Sequence, residues 1–248
     1  MNKVLLITGA SRGIGAATAL LAARRGYTVC VNYKSNEEAA SSVVARIRAA
    51  GGRAEAFCAD VGQESEIVEL FDAVQQRYGR LDGLVNNAGI LEQQAKVRDM
   101  NAARLRRILD VNVVGPFICC REAVRRMSIS LGGGGGVIVN VSSAASRLGS
   151  PNEYIDYAAS KGALDTLTIG LSKEVADEGI RVNAVRPGII DTDIHASGGE
   201  PGRVDRVKHM VPLRRGGTAE EVAGAIMWFF SEEATYSTGA FLDVSGGR

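Results

Sequence analysis

Val4-Leu5-Leu6-Ile7-Thr8-Gly9-Ala10-Ser11-Arg12-Gly13-Ile14-Gly15 joins an apolar run to a glycine-rich turn and the start of a helical pattern. An uninterrupted apolar run fits a strand covered on both faces, as in a parallel sheet. The glycines follow G-x-x-x-G-x-G spacing. Gly9 permits a tight turn, while Gly13 and Gly15 let the backbone approach a pyrophosphate and let the helix pack on the strand. The helix N-terminus that follows offers unpaired N–H groups and a positive dipole end to an anion. Glycines alone would fit a conformational turn equally well. Their position, between first strand and first helix, points to a dinucleotide cradle that includes Ser11, Arg12 and Ile14.

The same alternation continues along the chain. Strands are predicted at 4–8, 28–33, 54–59, 83–86, 137–141, 181–186 and 240–244, with helices at 14–25, 37–50, 64–78, 102–127, 157–178 and 219–230. Strand, helix, strand at this spacing means βαβ units and an α/β, doubly wound parallel sheet of Rossmann type. No linker or composition break divides residues 1–248, so one domain is expected. The glycine run 132–136 reads as a surface connection. Residues 191–212 lack a period, carry both His195 and His209, and are expected to form a lid over the substrate.

Composition removes several function classes. With 29 basic and 28 acidic side chains the net charge is +1, which argues against a nucleic-acid surface. No apolar run approaches the roughly 18 residues of a membrane span, and no signal-peptide pattern is read at the N-terminus. Cys30, Cys58, Cys119 and Cys120 sit in apolar surroundings and are expected as buried, reduced thiols in a cytoplasmic protein. Two histidines fourteen residues apart make a zinc site or a histidine triad improbable, so no metal is expected. Trp228, Phe229 and Phe230 read as core.

The second strand bears on the cofactor. NAD sites place a carboxylate at its tip, and NADP sites a cation for the 2′-phosphate. The tip here is Asn32-Tyr33-Lys34-Ser35, with no acid, and Arg12 is a second cation within the glycine loop. NADP(H) is therefore expected over NAD(H).

Beyond the glycine turn stand Asp60-Val61, Asn86-Asn87-Ala88-Gly89, Asn112 in Asp110-Val-Asn-Val, Ser142-Ser143, Tyr157-Ala-Ala-Ser-Lys161, Pro187-Gly188-Ile-Ile-Asp-Thr192 and the closing segment from Thr238-Gly239 to Gly246-Gly247. In this order, over nearly the whole chain, they resemble the short-chain dehydrogenase/reductase family. The resemblance implies a catalytic tetrad of Asn112, Ser143, Tyr157 and Lys161. It also implies adenine contacts from Asp60 and Val61, a cleft lined by Asn87, Ala88 and Gly89, and a nicotinamide held near Pro187, Gly188, Ile190 and Thr192. The interval from Ser143 to Tyr157 is one residue longer than the family's commonest spacing, which leaves Ser142 as an alternative to Ser143. The extra residue falls around Ser150-Pro-Asn-Glu-Tyr154, beside the substrate.

These residue types suit carbonyl reduction, in which nicotinamide supplies hydride and the protein supplies the acid. Tyr157 and Lys161 share a helix face at i and i+4. A cation about 4 Å from the phenol contributes about 4 kcal/mol to the phenolate, enough to lower the pKa by up to about 3. Ser143 would hydrogen-bond the substrate oxygen. Asn112 is a poor helix former in mid-helix, and the resemblance implies that it anchors a carbonyl and a water linking Lys161 to solvent.

The substrate is expected to be a small molecule or a 3-oxoacyl thioester. A sugar dehydrogenase and a non-catalytic NADP sensor stand as alternatives. An epimerase or dehydratase fits less well, because those relatives carry a larger substrate domain. Arg121, Arg125 and Arg126 are equally readable as a patch for an acidic carrier protein and as a solvated helix face. The resemblance implies a homo-oligomer, with a tetramer favoured over a dimer, and the apolar stretch Val113–Cys120 permits it.

Overall fold

The structure is a computed structural model that describes residues 2–192 and 194–248, with the backbone alone at 195 and 196. Seven strands are β1 (Val4–Ile7), β2 (Thr28–Tyr33), β3 (Arg53–Cys58), β4 (Gly83–Asn86), β5 (Gly136–Val141), β6 (Ile180–Pro187) and β7 (Phe241–Val244). Among the described residues, the α-helices between them are α1 (Gly13–Arg24), α2 (Glu37–Ala49), α3 (Glu64–Tyr78), α4 (Ala102–Leu109), α5 (Gly115–Met127), α6 (Ala145–Leu148), α7 (Ile155–Glu174), α8 (Ile194–Ser197), α9 (Arg203–Val207) and α10 (Ala219–Trp228).

All strands are parallel, in the order β3-β2-β1-β4-β5-β6-β7. Side chains alternate across a strand, so β1 divides its apolar residues between two cores. Leu5 and Ile7 join Val29 and Val31 beneath α1, α2 and α10, while Val4 and Leu6 join Cys30 beneath α3, α5 and α7. Each fully buried Leu or Ile contributes about 1.5–3 kcal/mol, so both helical layers are held by the same strands. The chain runs outward from β1 to β3 and then crosses to β4, which makes the gap between β1 and β4 the switch point where such sheets bind ligands.

Three expectations need correction. The helix predicted over 102–127 is two helices joined by a π-helical turn, Asp110–Val114, that contains Asn112. Trp228 is 40% exposed, whereas Phe229 and Phe230 are buried, because only the latter two reach the core beneath α10. Cys58 is exposed at the end of the edge strand β3, where its Sγ donates to the Lys34 carbonyl. The other three thiols are buried, and all four are free. Among the described residues, no helix is long and apolar enough to cross a membrane.

Candidate active site

At the switch point lies a cleft of about 1020 Å³. It runs from the glycine turn, Lys34 and Asp60 at one end to Ser143, Tyr157 and residues 194–210 at the other. The turn is anchored from below. The Asn87 side chain donates to the Thr8 and Gly9 carbonyls at 2.9 and 3.0 Å, and the Thr8 hydroxyl accepts from the Asn87 and Ala88 N–H groups. Gly13 adopts left-handed backbone (φ 54°), and a Cβ there would sit 3.5 Å from Thr192 across the cleft. Gly15 serves packing. A Cβ on it would come within 2.5 Å of the Asn87 amide and the Gly9 carbonyl, and it does not border the cleft.

The start of α1 carries no side-chain cap and no acidic residue in its first turn. An uncapped helix end with its glycines facing a cleft of this size fits a pyrophosphate. Gly9, Ser11, Arg12, Gly13 and Ile14 all border it, as do Val61, Ala88, Gly89, Pro187, Gly188, Ile190 and Thr192. The residues present therefore fit a dinucleotide.

Lys34 makes an ion pair with Asp60 at 2.7 Å. Burial raises the Asp60 pKa, but the Lys34 hydrogen bond and the Gly62 N–H outweigh it, and the carboxyl stays below its ordinary range. Lys34 is itself 67% exposed. Such a pair is worth about 0–1 kcal/mol, so the ammonium is free to turn to another anion.

At the other end, the sequence left Ser142 and Ser143 open. Ser142 is buried, and its hydroxyl donates to Asp165 at 2.6 Å. Ser143 accepts from the Ala145 N–H at 3.1 Å, and its hydroxyl is the hydrogen-bond partner of Tyr157. α7 places Lys161 one turn beyond Tyr157. Its ammonium, however, donates to the Val141 carbonyl at 2.8 Å and lies 5.5 Å from the centre of the Tyr157 ring.

The expected lowering of the tyrosine pKa is therefore not what this geometry produces. Burial pushes the Tyr157 hydroxyl up to about 12, with the Ser143 hydrogen bond pulling the other way. Burial likewise brings Lys161 down to about 8, against the pull of Asp165. Enclosure disfavours both charges, and the ammonium is aimed at a carbonyl rather than at the phenol oxygen.

Asn112 is wholly buried and does not border the cleft. Its side chain clamps Ile90, accepting from the N–H at 2.9 Å and donating to the carbonyl at 3.0 Å. A Cβ added at Gly89 would lie 3.5 Å from both the Asn112 amide oxygen and the Lys161 ammonium. The π-helical turn aims Asn112 at the strand β4 exit, a placement seen often for such turns at functional sites. Asn112 followed by Val113, Val114, Gly115 and Pro116 is the sequence signal that could have revealed it.

The cleft wall beyond Tyr157 gathers Tyr154, from the segment read as lying beside the substrate, Ile194, Arg203 and Met210, from the segment read as a lid, and Leu148, which sequence reasoning missed. The segment 191–212 is not irregular throughout, since it contains α8, α9 and a short 3-10 turn at Lys208–Met210. Asp193 and the His195 side chain lie outside the described residues. Nor is the basic patch available as read: Arg121, Arg125 and Arg126 converge on the buried Glu122, with Glu64 and Asp72 engaging two of them.

A parallel sheet whose glycine turn opens on a switch-point cleft is the Rossmann-type dinucleotide-binding architecture. A family model described as enoyl-(acyl carrier protein) reductase matches residues 9–248. An uncharacterized oxidoreductase of Escherichia coli, YgfF, is 60% identical over 245 residues, 99% of either chain. A 3-oxoacyl-[acyl-carrier-protein] reductase of Synechocystis sp. is 39% identical, over 99% of this chain and 96% of its own. A short chain dehydrogenase from Burkholderia cenocepacia, crystallised in complex with NADP, superposes with a TM-score of 0.89 at 34% identity, covering 99% of this chain and 97% of that one. The chain belongs to the short-chain dehydrogenase/reductase family, and it is an oxidoreductase of that family.

Proposed function

We propose that the protein is an NADP(H)-dependent reductase that interconverts a carbonyl and a secondary alcohol, with residues 1–248 forming one catalytic domain. The observation that carries this reading is the pairing of the Ser143 and Tyr157 hydroxyls in the cleft wall, one helical turn from Lys161 and across the cleft from the glycine turn.

Gly9, Ser11, Gly13 and Ile14 would hold the pyrophosphate above Gly15, with Asp60 and Val61 at the adenine. Arg12 and Lys34 would meet the 2′-phosphate. Asn87, Ala88 and Gly89 would floor the cleft, and Pro187, Gly188, Ile190 and Thr192 would flank the nicotinamide, which supplies the hydride when bound. Tyr157, protonated below about 12, hands its proton to the developing alkoxide oxygen. Ser143 donates a hydrogen bond to the same oxygen. Lys161, with its pKa near 8, exchanges protons close to neutrality and reloads the tyrosine. Asn112 fixes the Ile90 carbonyl beside this path.

The NADP complex of the Burkholderia relative supports the coenzyme assignment. Lys34→Asp is expected to lower the ratio of kcat/KM with NADPH to that with NADH by about 10- to 100-fold, the worth of a charge-assisted hydrogen bond. An unchanged ratio would reject the role of Lys34. NADPH consumption against acetoacetyl thioesters, small diketones and aldoses tests the reaction itself. Exposed Leu105, Leu109, Val114 and Phe117 on and beside α4 and α5 support assembly into a homo-oligomer, a tetramer in this reading.

A further inference from the structure

Three segments meet at the Tyr157 end of the cleft: 90–96 after β4, 149–154 before α7, and 194–210. Their charges are committed to one another. The Glu153 carboxylate accepts from Arg203 at 2.5 Å and from Arg206 at 2.8 Å. Glu200 accepts from Arg203 at 3.3 Å, from Arg206 at 2.9 Å and from the Gln94 amide at 2.6 Å. The Arg203 guanidinium stacks 4.9 Å from the Tyr154 ring centre, and the Tyr154 hydroxyl donates to the Gly198 carbonyl at 3.3 Å. The Ala95 N–H ties down the Glu153 carbonyl at 3.0 Å.

The loop that presents Glu153 carries the extra residue, and its backbone is unusual. Ser150 and Asn152 hold positive φ of 45° and 64°, a conformation that non-glycine residues rarely adopt. Such strain persists where surrounding contacts over-determine it. Arg203 is buried, which an arginine tolerates only when paired. With these charges satisfied, the described side chains left to face the cavity at this end are Ser150 and the apolar Leu148, Pro151, Tyr154, Ile194, Val207 and Met210.

Resting on the reductase reading above, we propose that the site takes an uncharged ketone with apolar substituents, enclosed beneath residues 194–210 by a clasp centred on Glu153. On this wall a carboxylate or a polyhydroxylated chain loses its hydration and gains no partner. Arg248, which borders the same cleft without an ion pair among the described residues, is the group that would answer for an anion instead.

The test compares ethyl acetoacetate with acetoacetate, adds D-glucose in the oxidative direction, and repeats the ester with Glu153→Gln and Glu153→Asp. The ester is expected to exceed the carboxylate in kcat/KM by at least about tenfold, with glucose slower than either. Glu153→Gln, which leaves Arg203 and Arg206 with Glu200 as their one remaining carboxylate among the described residues, is expected to raise KM for the ester about tenfold with kcat changed by less than about threefold and NADPH affinity unmoved. Glu153→Asp restores most of the KM. Raising salt increases KM more in the unsubstituted protein than in Glu153→Gln, where the Glu200 pairs alone remain. A preference for the carboxylate or for glucose, or an unchanged KM in Glu153→Gln, overturns this inference and leaves the reductase reading standing. No turnover of any substrate by protein that binds NADPH overturns both.

Discussion

Tyr157→Phe is expected to lower kcat for ketone reduction by about a thousandfold while leaving NADPH affinity within about threefold. The ring stays in the cleft wall, and only the oxygen that pairs with Ser143 is removed. Ser142 does not substitute for it, because its hydroxyl is committed to Asp165. Steady-state kinetics together with a fluorescence titration of NADPH separates the two quantities. Loss of binding together with kcat would mean that the substitution damaged the cleft and not the proton donor. Retained kcat would remove Tyr157 from the reaction.

Lys161→Met carries the second large effect, and it is expected to act in opposite directions on activity and stability. Activity falls by about a hundredfold or more, since the proton reservoir for Tyr157 is lost. Stability rises at neutral pH. The ammonium's pKa drops from its ordinary 10.5 to about 8 on folding, chiefly through burial, so the charged form is disfavoured in the folded state by about 3 kcal/mol. Between these two values the unfolded chain binds more protons, and stability therefore climbs as pH rises through that window. Below pH 8 the whole penalty is in place. Methionine removes it at the loss of the hydrogen bond to Val141, worth about 1 kcal/mol, for a net gain of about 2 kcal/mol. Urea unfolding at pH 7 and pH 10 checks this: the gain is expected at pH 7 and shrinks toward zero by pH 10. A loss of stability at pH 7 would contradict it.

What was legible in the sequence follows from how locally each feature is determined. The strands read clearly because runs such as Val4–Ile7 are apolar at every position, and the glycine turn because its spacing reflects backbone geometry alone. The Tyr157 and Lys161 pairing followed from helical periodicity. Where a side chain finds its partner across the fold, the sequence was silent. Nothing local distinguishes Ser142, which turns to Asp165, from Ser143, which turns to Tyr157. Lys161 shares a face with Tyr157 as expected, yet the end of β5 supplies a carbonyl that holds its ammonium away from the phenol oxygen. Asn112 read as an intrusion in one long helix, whereas a π-helical turn uses it to clamp Ile90. Arg121, Arg125 and Arg126 read equally as a carrier-protein patch and as a solvated face, because nothing local shows that all three turn to the buried Glu122.

In the proposed reaction this cleft transfers hydride from NADPH to a carbonyl with Tyr157 as the acid. Its most direct test supplies the purified protein with NADPH deuterated at the transferring C4 position and with ethyl acetoacetate, and follows the label by mass spectrometry. One deuterium is expected on the carbinol carbon of the hydroxy ester, formed in step with NADPH oxidation and lost in Tyr157→Phe. Tight NADPH binding with no labelled alcohol from this ester, from an acetoacetyl thioester or from a small diketone would contradict it.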